Sequence, residues 1–125
     1  MSADTAGAPT SFERGGWGWL FQRVTAAFLI VVLAFHFFLL HFYHHAYEVT
    51  FAGTNARMSD IGYFLTMWLF LVTATFHGVN GIYNAMINQG IRGTQKRVAQ
   101  GILGLAALLL VVQGTRVALY MNGFL

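Results

Sequence analysis

The chain has 125 residues, 57% of them hydrophobic and only 9% charged, with no Cys and a formal net charge of +3. Soluble domains carry about 25% charged residues, so a soluble globular composition is excluded. Disulfides, Cys-ligated zinc and iron–sulfur clusters within the chain are excluded too. The charge is too small and too scattered for a nucleic-acid surface, and the length suits one domain.

Residues 1–16 are polar, with Gly, Ser and the single Pro, and read as a flexible N-terminal extension. Residues 17–125 read as the membrane domain. Three apolar segments follow the extension, at about 20–42, 63–83 and 98–120. Each holds roughly 20 residues or more, enough at ~1.5 Å per residue to cross a ~30 Å hydrocarbon core. Helices are the spanning form, because each segment must satisfy its own backbone N–H and C=O groups in lipid. The expected fold class is therefore an all-α membrane protein with three transmembrane helices. Gly101, Gly104 and Gly114 in the third segment read as contacts that let helices approach closely.

Lys and Arg set the direction. Arg14 and Arg23 flank the first segment, and Arg92, Lys96 and Arg97 lie between the second and third. Between the first and second there is only Arg57, balanced by Glu48 and Asp60. The basic side is expected to be cytoplasmic, with the N-terminus inside and the C-terminus outside. Trp17 and Trp19 then suit an inner interfacial belt, and Tyr43, Tyr47 and Tyr120 an outer one.

Ionisable groups inside a span are functional candidates. His77 lies about six residues before the inner end of the second segment, and His36 lies thirteen residues after Arg23. These positions place the two histidines ~10 Å or somewhat more apart in depth. Neutral imidazole is an axial ligand for haem iron. Gly78 and Gly81 leave room beside His77, and His77, Gly81, Asn84 and Asn88 share one helix face as a polar, notched stripe. Spacing alone leaves two readings of His77 open, a metal ligand or a histidine hydrogen-bonded across a helix pair. His36 continues a face that runs back through Leu29 and Thr25 to Gln22. His41, His44 and His45 read as interfacial. His36 and His77 differ too much in depth to share one iron, so each would need a partner histidine from a second membrane subunit.

Two stretches resemble a known family. FQRVTAAFLIVVLAFHF, with Arg23, Val24, Thr25 and Ala26, resembles the first helix of the small hydrophobic membrane anchor subunit of succinate dehydrogenase (complex II). HGVNGIYNAMINQG resembles that subunit's second helix. The resemblance covers about residues 17–125. It implies that His77 is an axial ligand of haem b near the cytoplasmic side, with the other axial histidine on the large cytochrome b anchor subunit. Some members hold two haems, and His36 then suits the distal ligand. Arg23 would sit by the propionates of the first haem and Arg116 by those of the second, or Arg116 snorkels to the interface. In several members a tyrosine twelve residues after the haem histidine bonds the quinone. Here Gln89 stands at that position and Asn88 stands where the family has Asp, which leaves the quinone contact open. Gln89, Tyr83, Gln22 and Trp17 are the quinone candidates.

The resemblance thus implies a non-catalytic anchor subunit of succinate:quinone oxidoreductase in a prokaryotic cell (inner) membrane, crossing it several times. It would help to bind haem b and quinone and dock the flavoprotein and iron–sulfur subunits. No catalytic residue is expected in the chain itself. Two alternatives remain: a structural anchor without haem, and a subunit of another b-type cytochrome complex.

Overall fold

The computed structural model describes residues 16–125, so the expected extension over 1–16 lies outside the described residues except for Gly16. Helix α1 (Trp17–Phe38) runs without a break into a π-helical turn, Leu39–Tyr43, closed by the His44 N–H donating to Leu39 O at 3.0 Å. His45 then adopts left-handed backbone, with φ 52°, and the helix stops. A 3₁₀ turn (Ala46–Glu48) leads to a short helix α2 (Phe51–Met58), which begins where the Thr50 hydroxyl accepts the Gly53 N–H. Asp60 caps the next helix, α3 (Ile61–Asn88), accepting the Tyr63 N–H at 2.8 Å. Gly90, at φ 93°, closes its C-terminal turn, with Ile91 N–H reaching Met86 O. A side chain at that backbone angle would be strained, so glycine is needed there. Helix α4 (Gly93–Asn122) completes the chain.

Among the described residues three helices are long and apolar enough to cross a membrane: Trp17–Tyr43, Ile61–Asn88 and Gly93–Asn122. Each runs beyond the apolar run read from the sequence. Polar and interfacial residues such as Trp17, Asn84, Asn88 and Thr94 continue the helical hydrogen-bond ladder after apolarity ends. Helix α2 was not anticipated. It lies where the sequence showed only a polar connection, because eight residues are too few to give a reliable period.

Helix α3 is central. It packs against α1 on one side and α4 on the other, and the backbones of α1 and α4 stay apart. The α3–α4 contact is tight at Gly114, where an added Cβ would lie 2.5 Å from Leu71 Cδ2. Trp68 Nε1 also donates to Thr115 Oγ1 at 3.0 Å. Gly101 and Gly104 face open space, so the close-approach reading holds within this chain only for Gly114. Helix α2 tucks Met58 against Phe64 and Ala118, and Asn122 Nδ2 donates to Met58 O. Large apolar side chains otherwise point outward: Ile30 is 69% exposed, Val31 68% and Leu108 60%. Such surfaces suit lipid or another membrane helix and not water.

Arg23, early in α1, and the α3–α4 turn with Arg92, Lys96 and Arg97 lie at one end of the bundle. Lys96 lines a cleft there together with Gly16 and Trp19. Arg57 belongs to the opposite end, at the last turn of α2.

Candidate functional site

The polar residues of α1 and α3 meet near the basic end. On α1, Gln22 and Thr25 contact α3, and of the face that continues through Leu29 and Val32 to His36, Val32 is the most buried member at 7% exposure. Thr25 Oγ1 lies 3.2 Å from His77 Nδ1. The same hydroxyl lies 2.6 Å from Phe21 O and 3.1 Å from Gln22 O. A hydroxyl has one proton to give, and the shortest of these contacts takes it to the Phe21 carbonyl. We therefore assign the remaining contact as His77 Nδ1–H donating to Thr25. That tautomer leaves the Nε2 lone pair free, and Nε2 has no hydrogen bond among the described residues.

Gln22 locks the same level. Its Nε2 donates to His77 O at 3.1 Å, and its Oε1 accepts from Asn80 Nδ2 at 2.7 Å. A Cβ on Gly81 would meet Gln22 Nε2 at 3.3 Å, so Gly81 brings α1 and α3 together. Only Gly78 faces open space beside His77, which corrects the reading that both glycines leave room there. The stripe is also divided: Asn84 lines the cleft with Gln22 and Asn80, whereas Asn88 is exposed. Asn80 went unread, because it lies off the 77–81–84–88 spacing; its three-residue step from His77 was the available signal.

A cleft of about 340 Å³ opens at the basic end between the start of α1 and the end of α3, with Gln22, Asn80, Tyr83, Asn84 and Lys96 among its walls. Tyr83 OH accepts from Gln100 Nε2 at 3.1 Å, a contact to α4. Of the four quinone candidates, Gln22 and Tyr83 share this cleft. Gln89 is exposed at the C-cap of α3, and Trp17 is 75% exposed, with its ring 6.0 Å from that of Phe21. The Arg23 guanidinium stacks over the Trp19 ring, 4.4 Å from its centroid.

His36 is separate. It stands eleven residues beyond Thr25 on α1, which is ~16 Å along the axis. That exceeds the separation expected from the sequence, because Thr25 and His77 turn out to be level. His36 Nδ1 is buried and has no partner. Arg116, the expected companion of His36, is exposed on α4 and donates to Gln113 Oε1 at 3.1 Å, on a helix whose backbone stays apart from that of α1. His41 is exposed, stacks on Phe37 at 4.1 Å and contacts Phe37 O through Nδ1. Among the described residues no group of three or more His, Asp or Glu could close around a metal ion.

The curated proteins contain no match to this chain. The family model described as succinate dehydrogenase/fumarate reductase transmembrane subunit matches residues 8–115. With three membrane-length helices and a match over most of its length, the chain belongs to the family of succinate dehydrogenase/fumarate reductase transmembrane subunits.

Proposed function

We propose that this subunit helps to bind haem b and a quinone beside the flavoprotein and iron–sulfur subunits of its complex, with His77 as an axial ligand and the large cytochrome b anchor subunit supplying the opposite histidine. One observation carries this reading: the His77 ring is held by Thr25 through Nδ1, while Nε2 is left uncommitted. Ligating histidines characteristically donate their second ring nitrogen to a fixed acceptor, which sets tautomer and orientation. The open space at Gly78 beside the ring fits a flat macrocycle. The bound haem supplies one-electron redox chemistry, and the chain supplies position and electrostatics.

The residues of this chain divide that work. Thr25 holds the proton at Nδ1. Gln22 and Asn80 hold α1 and α3 in register at that level, so the ring cannot slide along the helix. Arg23 keeps a positive charge at the same end, where it suits haem propionates. Asn84 and Lys96 line the cleft with their polar ends uncommitted among the described residues and are donors for a quinone carbonyl, with Tyr83 nearby. Gln22 is half committed, with one amide N–H left to give. His36 is the candidate for a second, outer haem, since its buried Nδ1 lacks a partner within the chain. The basic end is the cytoplasmic one in this reading, in a prokaryotic cell membrane.

A structural anchor without haem is the competing reading. The same Thr25–His77 hydrogen bond favours it, because it satisfies a histidine across a helix pair. A reduced-minus-oxidised absorption spectrum of the purified complex separates the two. The expected result is a b-type band whose intensity per flavin falls in His77→Ala. Absence of the band, or an unchanged haem-to-flavin ratio in that variant, favours the structural anchor.

A further inference from the structure

A groove of about 460 Å³ runs between the inner halves of α3 and α4. Two contacts bracket it. At the basic end Tyr83 OH accepts from Gln100 Nε2, and at the other end Gly114 meets Leu71. From Tyr83 back to Val72 the α3 wall covers eleven residues, ~16 Å along the axis. The α4 wall continues from Gln100 through Gly104 and Ala107 to Val111, at helical spacing. An added Cβ on Gly104 would meet nothing within 4 Å, so glycine leaves the groove open at that point.

The groove is polar at one end only. Asn80 and Tyr83 stand at its basic end, and both are also walls of the cleft that holds Gln22 and Asn84. Lys96, one turn before Gln100 on α4, belongs to that cleft as well. Further along the groove Thr75 is the one polar side chain, and its hydroxyl is spent on Leu71 O at 2.8 Å. The two cavities therefore adjoin, with donors at the basic end and apolar walls beyond it.

Such a pair matches a molecule with a polar head and a long apolar tail. The head end distinguishes between such molecules. Its donors are amides and, among the described residues that line it, one cation, Lys96. Amide N–H groups suit neutral carbonyl acceptors. A phosphodiester favours charge-assisted bonds, best from an arginine fork, and the cleft walls hold no arginine. Gly104 and Ala107 leave room for methyl branches along a tail.

We propose that this groove takes the isoprenoid tail of the quinone whose head the cleft binds. This rests on the quinone reading of the cleft. It gives α4 a share in substrate recognition, and it gives Gly104, which meets no neighbour within the chain, a ligand to face.

The test is steady-state kinetics of the purified complex with succinate and paired quinones. Benzoquinones and naphthoquinones are each supplied tailless and with a two-isoprene tail, in the same detergent. Gly104→Leu places a side chain in the groove. It is expected to raise KM for the tailed quinone about tenfold relative to the tailless one, the scale on which an apolar pocket discriminates by one or two carbons. Comparing variant with parent cancels partitioning of the quinone into micelles. Gly101→Leu, also in open space but outside the groove, is expected to leave that ratio unchanged. An unchanged ratio in Gly104→Leu overturns the proposal, and loss of a copurifying phospholipid instead would identify the occupant as an acyl chain. If Gly104→Leu does not assemble, the unaltered complex decides. A quinone with a photoreactive group at its tail end is expected to label residues 72–79 or 103–111, and labelling confined to the other subunits overturns the proposal. Asn84→Leu tests the cleft separately: it is expected to raise KM for tailed and tailless quinones alike, and no change in either removes the head site, whatever the Gly104 ratio.

Discussion

Thr25 has a single hydroxyl proton, and a carbonyl 2.6 Å away takes it. The consequence for His77 is a fixed tautomer, which no property of the histidine itself determines. Thr25→Val keeps the shape and removes the acceptor, leaving Nδ1–H unpaired in a part-buried site. In the haem-binding reading this lowers haem affinity about 10- to 100-fold, the usual effect of losing such an outer partner. Thr25→Ser restores the acceptor and is expected to recover it. Haem-to-flavin ratios at limiting haem, compared across the two variants, check this. Equal loss in both would mean that Thr25 acts through packing of α1 on α3. Thr25 was legible in the sequence only as part of a short family motif and as a position on the face that leads to His36. Its contact with His77 was not legible, since the two are 52 positions apart and the register of two helices is a tertiary property.

Among the elements, α3 and α4 are joined by shape more than by polarity. In a membrane, helix association depends on close packing and a few hydrogen bonds, because lipid is as apolar as the side chains it replaces. Gly114 against Leu71 and Trp68 on Thr115 are of this kind. Gly114→Val adds volume where a Cβ already collides, and is expected to destabilise the α3–α4 contact by about 1–3 kcal/mol. Adding Leu71→Ala to that variant removes the obstructing atoms and should return part of the loss, a coupling that a double-mutant cycle in detergent titration measures. Strict additivity of the two changes would show that Gly114 does not act through Leu71. The sequence marked three glycines in this helix as equivalent. Which of them meets a neighbour depends on how α4 is rotated against α3, and the period of an evenly apolar helix does not encode that rotation.

At the scale of the whole molecule, the layout is open: α3 in the centre, α1 and α4 on either side with their backbones apart, and apolar faces directed outward. The proposed orientation, with the basic end formed by the α3–α4 turn and the start of α1 in the cytoplasm, follows the positive-inside rule. Because the chain has no Cys, single cysteines report this cleanly. In intact cells, Ser59→Cys is expected to react with a membrane-impermeant maleimide, and Thr94→Cys only after permeabilisation. The reverse pattern would invert the topology. By itself the sequence determined the number of spans, the helical form, the segregation of basic charge and the two histidines inside the spans, since each follows from local composition and the cost of polar groups in lipid. Only the tertiary structure decided that Thr25 and Gln22 are level with His77, that Asn80 completes that network, and that Gly81 closes a helix contact. These depend on the rotation and register of one helix against another. Those are set by interlocking of side chains from distant parts of the chain, which no single segment contains.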